Sequence, residues 1–200
     1  MRQLIFKSLF IFGIISVYFS FSETMAKEIV KQETATFAAG CFWGVEDFFR
    51  KIPGVAEVHS GYSGGSKANP KYDDVSEGIT GHAESVEIKF DPKLISFQNL
   101  LDYFFKMHDP TTKNRQGNDK GTQYRSAIFY HSDQQKKDAE EFIKKVEKSK
   151  AWKNAIITEV SAAGPFYKAE EEHQQYLIKH PGGYDNHYMR SISFDKPVKK

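Results

Sequence analysis

The 200-residue chain has one cysteine, Cys41. A single thiol excludes any internal disulfide, and with it the disulfide-stapled class of small exported domains. No apolar run is long enough to favour a spanning helix. The longest, residues 8–21, has 14 residues, against the roughly 20 that a bilayer requires. Neither sign of charge dominates. The 28 basic and 26 acidic residues leave a net charge of +2, which gives no reason to expect nucleic acid or an acidic membrane surface as partner. The seven histidines are dispersed, and none lies in the His-Glu-x-x-His spacing of a helical zinc site. His82-Ala83-Glu84 begins a zinc deaminase signature, but the pattern needs a later Cys pair and no cysteine follows Cys41. A phosphate loop, a dinucleotide fingerprint, internal repeats and low-complexity linkers are also missing.

The beginning of the chain has the layout of a secretory signal peptide. Arg2 and Lys7 make a basic start, residues 8–21 the apolar stretch, and Ser20, Ser22, Thr24 and Ala26 supply small residues. Cleavage after Ser22 or after Ala26 satisfies the pattern. With residues 1–26 taken as the leader, residues 27–200 form one domain, exported and expected in a periplasm. An uncleaved membrane anchor is the alternative. Removing Arg2, Lys7 and Glu23 leaves 26 basic against 25 acidic residues.

The pattern of the remaining residues alternates between strand and helix. Residues 34–39 read as a strand. Phe42, Val45, Phe48, Phe49 and Ile52 have helical spacing, stopped by Pro53-Gly54. Residues 55–60 read as a strand, and 61–83 as loops by their Gly, Asn, Pro and Asp content. In residues 84–90, Val86, Ile88 and Phe90 alternate on one face of a strand. Ser96 caps a helix over 97–107, and a polar loop covers 108–121. Residues 123–131 read as a strand. Ser132 and Gln135 form a capping box for a helix to about residue 150. A strand over 155–161, a helix over 169–179 and a loop-like tail complete the series. This order predicts an α+β sandwich, a mixed sheet packed by helices. The start of the Cys41 helix is expected at one sheet edge, with loops 61–83 and 108–122 nearby.

Cys41 sits in Gly40-Cys41-Phe42-Trp43-Gly44, between the first strand and the first helix. A helix N-terminus favours the thiolate, the nucleophilic form. The flanking glycines allow a tight turn and access to the sulfur. Phe42 and Trp43 supply apolar walls. A buried, inert cysteine is the plain alternative. Three loops carry polar groups that could meet the thiol: Tyr72, Glu84, and Asp119 with Tyr124. A carboxyl beside an aromatic wall is desolvated and stays protonated as an acid, and tyrosine hydroxyls are neutral donors. Each also has an ordinary reading: a loop anchor for Tyr72, a solvated strand end for Glu84, a turn residue for Asp119.

Several ordered segments resemble one family. They are Gly40-Cys41-Phe42-Trp43-Gly44-Val45-Glu46, Pro53-Gly54-Val55, Gly61-Tyr62-Ser63-Gly64-Gly65, Asn69-Pro70-Lys71-Tyr72, Gly81-His82-Ala83-Glu84 and His108-Asp109-Pro110. They continue with Arg115-Gln116-Gly117-Asn118-Asp119, Gly121-Thr122-Gln123-Tyr124-Arg125-Ser126, Glu172-His173-Gln174-Gln175-Tyr176-Leu177 and Pro181-Gly182-Gly183-Tyr184. Across residues 34–188 the chain resembles the type A peptide methionine sulfoxide reductases. The resemblance implies a single-domain, two-layer α+β fold of ferredoxin-like type and reduction of methionine S-sulfoxide, protein-bound or free. It implies Cys41 as the nucleophile, Glu84 as the acid, Tyr72 and Tyr124 as holders of the sulfoxide oxygen, Asp119 as support, and Phe42 and Trp43 as the methyl pocket. No bound cofactor or metal is implied. The sulfenic acid left on Cys41 is to be reduced by an external thiol: thioredoxin, glutaredoxin or a small thiol such as glutathione. The expected partners are oxidised proteins and a thioredoxin-like reductant, with the enzyme a monomer.

The chain departs from many such relatives in lacking a recycling cysteine after Gly-Gly-Tyr. Asp185 stands there instead. Two rival readings differ in kind. A Cys–His hydrolase needs a histidine within hydrogen-bond reach of Cys41. A binding module would recognise oxidised methionine without turnover.

Overall fold

The computed structural model describes residues 31–195, so the expected leader, residues 1–26, and its expected cleavage sites lie outside the described residues. The long strands are β1 (Glu33–Ala39), β2 (Val55–Ser63), β3 (Ala83–Phe90) and, after a small hairpin of β4 (Arg115–Gln116) with β5 (Asp119–Lys120), β6 (Ser126–Tyr130). β7 (Glu159–Ala162) and β8 (Tyr167–Lys168) complete a six-stranded sheet in the order β7-β6-β1-β3-β2-β8. β6 and β7 are parallel, and the other pairings are antiparallel. The helices are α1 (Phe42–Phe49), α2 (Tyr72–Ser76), α3 (Phe97–Met107), α4 (Asp133–Ser149) and α5 (Tyr176–Lys179). This is a mixed sheet layered with helices in a single domain, the α+β arrangement expected from the alternating pattern.

The pleat of β1 sorts the core. Ala35, Phe37 and Ala39 enter the main cluster, while Ala38 joins Ala83, Ala127 and Phe129 in a small second one. Phe37 is fully buried, with its ring 5.6 Å from Phe49, 5.9 Å from Phe97 and 5.0 Å from Phe104. α1 and α3 are thereby held on the central strand. Ser96 and Ser132 cap their helices, but the expected capping box at Ser132 does not close, because Gln135 Oε1 accepts instead from His131 N–H at 2.9 Å and its Nε2 donates to Thr34 C=O at 2.8 Å. Ser96 Oγ accepts from Asn99 N–H at 3.1 Å and Ser132 Oγ from Gln135 N–H at 3.2 Å.

Five local expectations need correction. β1 is a central strand, so α1 starts at the C-terminal end of that strand and not at a lateral sheet edge. β2 runs on through Gly61, Tyr62 and Ser63, because β3 and β8 pair with this stretch from its two sides. The strand expected over 123–131 begins at Ser126, since residues 122–124 turn as a 3-10 helix. The strand expected over 155–161 begins at Glu159, where pairing with Ala127 starts; before it, Ile157 N–H is drawn to Pro110 C=O at 2.9 Å. The helix expected over 169–179 is only a 3-10 turn (Glu171–His173) and α5. Gln175 breaks it with φ 51°, its N–H donating to Glu46 Oε2 at 2.7 Å. Gln174 meanwhile bridges the carbonyls of Ser60 and Ala169, both at 2.9 Å. These bonds to other elements outweigh the local helical preference.

Candidate active site

β1 ends at Ala39, the chain turns through Gly40 at φ 100°, and Cys41 becomes the N-cap of α1. The sulfur-bearing residue is 7% exposed. The amides of Trp43 and Gly44 favour the thiolate, as the helix N-terminus predicts. Burial is the larger influence, however, and with the charges of Glu84 and Asp119 it pushes the thiol well above its usual range. The expectation of a resting thiolate is therefore corrected: Cys41 keeps its proton.

Glu84 is the second residue of β3 and is in phase with Val86, Ile88 and Phe90, which places it on the core face, and it is 2% exposed. It is not a solvated strand end. Its Oε2 accepts the Phe42 N–H at 3.0 Å, which brings the carboxyl to the first residue of α1. Burial pushes the Glu84 carboxyl up to about 8, against the opposing effect of the Phe42 amide. A thiol and a carboxylic acid, both protonated near neutrality, thus meet at the end of the central strand.

The two tyrosines are fixed to one another. α2 begins at Tyr72, whose N–H donates to Glu170 Oε1 at 3.3 Å. Tyr124 ends the 3-10 turn, and the turn is tied to the end of α2. Thr122 Oγ1 donates to Gly78 C=O at 3.0 Å and Gln123 Nε2 to Ser76 C=O at 2.9 Å. Burial, then the Glu84 charge, pushes the Tyr72 hydroxyl up to about 12, and the same two influences lead in raising Tyr124. Both remain neutral donors.

Asp119 sits in the β4–β5 hairpin. Its Oδ1 accepts from the Tyr184 hydroxyl and its Oδ2 from Asn186 Nδ2, both at 2.9 Å. Phe42 is 1% exposed and lies beneath the site, its ring 5.8 Å from Tyr62 and 6.3 Å from Tyr72. Trp43 is partly exposed. It stacks on Tyr176 at 3.8 Å, and its Nε1–H donates to His173 Nδ1 at 3.2 Å. All seven residues singled out in the sequence belong to this one neighbourhood, built from α1, α2, β3, the β4–β5 hairpin and the 3-10 turn.

Sequence reasoning assigned no role to the residues that hold them. Glu170 anchors Tyr72 and also accepts from the Tyr62 hydroxyl at 3.0 Å. His173 stacks on Tyr72 at 4.2 Å and receives the Trp43 N–H. Tyr184 and Asn186 grip Asp119. His173 and Tyr184 lie in the motif segments quoted above, whereas Glu170 and Asn186 lie outside them, and nothing in spacing alone says what any of the four touches.

No histidine hydrogen-bonds Cys41 among the described residues; His173 serves Trp43, and His187 serves Ala39 C=O at 2.8 Å. The Cys–His hydrolase thus lacks its base. No group of three or more His, Cys, Asp or Glu is placed to hold a metal ion among the described residues.

Fold and site together bring one thiol, one buried carboxyl, two phenols and an aromatic wall to one place. Comparison with known proteins narrows the class. The sequence model of a family described as "Peptide methionine sulfoxide reductase" matches residues 33–200. "Peptide methionine sulfoxide reductase MsrA" of Methanothermobacter thermautotrophicus is 56% identical over 151 residues, covering 76% of this chain and 89% of that protein. The crystal structure of Mxr1 from Saccharomyces cerevisiae in reduced form superposes with a TM-score of 0.76 at 39% identity, covering 84% of this chain and 97% of that one. Mxr1 in complex with Trx2 matches with a TM-score of 0.55 at 29% identity, covering 84% and 96%. The chain belongs to the peptide methionine sulfoxide reductase family. It is an oxidoreductase that reduces methionine sulfoxide.

Proposed function

We propose that Cys41 attacks the sulfur of methionine sulfoxide while Glu84 protonates the departing oxygen. The observation that carries this reading is the buried Glu84 carboxyl held on the Phe42 amide, one residue from the only thiol; burial favours its protonated form. Sulfoxide sulfur is a poor electrophile until its oxygen is protonated or strongly hydrogen-bonded. Tyr72 and Tyr124 hold that oxygen as neutral donors, and Asp119 supports the site with its oxygens already committed to Tyr184 and Asn186. Trp43, backed by Phe42, seats the substrate methyl group.

Protons balance through Glu84. It gives its proton to the sulfoxide oxygen, and the carboxylate so formed takes the proton of the Cys41 thiol. Attack forms a bond between Cys41 Sγ and the substrate sulfur as the protonated S–O bond breaks; return of the released hydroxide to Cys41 Sγ breaks that bond and leaves methionine and a sulfenic acid. A protonated resting thiol suits this sequence, since the nucleophile is released only when substrate has taken the acid's proton.

A pocket with the methyl seated on Trp43 and the oxygen directed to Glu84 fits one configuration at sulfur. The expected outcome is strong preference for the S sulfoxide, free or in a peptide. Equal rates on the two epimers would rule out this geometry.

The sulfenic acid on Cys41 is resolved from outside, by a small thiol, glutaredoxin or a thioredoxin-like protein, through a transient mixed disulfide. The complex of the related Mxr1 with Trx2 supports the thioredoxin-like option. Every group of the site comes from one chain, so a monomer suffices. The basic start and 14-residue apolar stretch support export; N-terminal sequencing of the mature protein should begin at residue 23 or 27, and retention of residues 1–26 in a cytoplasmic protein would count against it.

A further inference from the structure

The segment 184–187 takes the place after Gly182-Gly183 and reaches both sides of the site. Tyr184 and Asn186 bind Asp119, and Asn186 Nδ2 also donates to Gln116 C=O at 3.0 Å. The alternate residues face the Cys41 turn. The His187 side chain is 1% exposed. Its Nε2 bonds Ala39 C=O at 2.8 Å, and its Nδ1 lies 3.1 Å from Asp185 Oδ1. Both ring nitrogens thus face acceptors, a carbonyl and a carboxylate. Burial raises the Asp185 carboxyl, but the hydrogen bonds from the His187 ring and backbone outweigh it and hold that carboxyl below the usual range.

The two glycines that bracket Cys41 carry the mark of this ring. A Cβ on Gly44 would lie 2.1 Å from Asp185 Oδ1 and 2.4 Å from His187 Nδ1. A Cβ on Gly40 would lie 3.3 Å from His187 Nε2, and 2.6 Å from Gln116 Cβ. Gly44 is inside a helix, where glycine is less favourable than alanine. The close approach of segment 184–187 is what requires it.

We propose that segment 184–187 is a strap that fixes the Cys41 turn against the Asp119 hairpin, with His187 as the positioning residue for the nucleophile. It acts by holding Ala39 C=O, two residues before Cys41, and does not touch substrate. The proposal rests on Cys41 being the nucleophile.

The test uses full-length protein with the variants His187→Ala, His187→Gln and Gly44→Ala. Two readouts are taken at matched temperature below each variant's Tm: the rate of methionine formation in a single turnover without thiol, and the rate of Cys41 alkylation by iodoacetamide. His187→Ala should lower the single-turnover rate about tenfold, with KM little changed, and raise alkylation severalfold because the turn is no longer pinned. His187→Gln keeps an N–H for Ala39 C=O and should recover most of both values. Gly44→Ala displaces the ring and should resemble His187→Ala. A wild-type single-turnover rate in His187→Ala, or equal behaviour of the Ala and Gln variants, overturns the strap. Alkylation reports on the strap independently of the sulfoxide chemistry: absence of methionine from the wild-type protein would fall on the catalytic reading, and unchanged alkylation in His187→Ala on the strap alone.

Discussion

Burial has two consequences at the residue scale. It pushes the Cys41 thiol up, which withholds the nucleophile, and pushes the Glu84 carboxyl up to about 8, which supplies an acid at neutral pH. In the proposed mechanism the acid form of Glu84 is the active one, so kcat/KM should fall as pH rises through about 8. Glu84→Gln should lower the rate by about 10²–10⁴-fold, the usual worth of a general acid, and remove that falling limb. A pH–rate profile from about pH 6 to 10 on both proteins measures this; an undiminished rate above pH 8 in the wild type would reassign Glu84 as structural. Part of this was legible in the sequence. Glu84 shares the period-two phase of Val86, Ile88 and Phe90, which already marks it as core-facing. The protonation state of Cys41 was not legible, because a helix N-terminus says nothing about how deeply the sulfur lies, and desolvation outweighs the amides of Trp43 and Gly44 here.

At the scale of elements, α1 is fixed at both ends of its first two turns. Its start receives Glu84 and the strap. Its middle carries Glu46, buried at 1% exposure, which accepts the Gln175 N–H and so joins α1 to the segment that walls Trp43 with His173 and Tyr176. Burial pushes the Glu46 carboxyl up to about 7. A folded-state value above the unfolded one means that the charged form is disfavoured on folding. Stability from this group is present below about pH 4.5 and is lost as pH rises through about 7. Tm should therefore decline between about pH 5 and 8, and Glu46→Gln should flatten the decline over the lower part of that range, with Glu84 contributing the remainder nearer pH 8. A Tm that rises with pH across this window contradicts the assignment. The elements read best from sequence were those with a long amphipathic period or a cap, such as α3 and α4. The stretch from Ala169 to Lys179 was misread as one helix because Gln174 and Gln175 are ordinary helix residues locally; the Gln174 side-chain amide is spent on Ser60 and Ala169 and the Gln175 N–H on Glu46, contacts outside any local helical pattern.

The whole molecule brings the end of a central strand, two loops and a segment near residue 185 to one point. The element order predicted two layers, but not that β1 lies between β3 and β6, since pairing partners far apart in sequence leave no local trace. The strap was invisible for the same reason: the glycines of Gly-Cys-Phe-Trp-Gly were legible as freedom of the turn and access to sulfur, whereas Gly44 makes room for Asp185 and His187. With one thiol in the chain, catalysis and recycling must separate, and this sets the most direct measurement. Reduced protein is mixed with excess methionine S-sulfoxide and no thiol, methionine is counted per chain, and a carbon nucleophile specific for sulfenic acid is used to trap the product. The account predicts one methionine per chain, a trapped adduct at Cys41, and neither from Cys41→Ser. More than one methionine per chain without added reductant, or methionine from the Cys41→Ser protein, would contradict it.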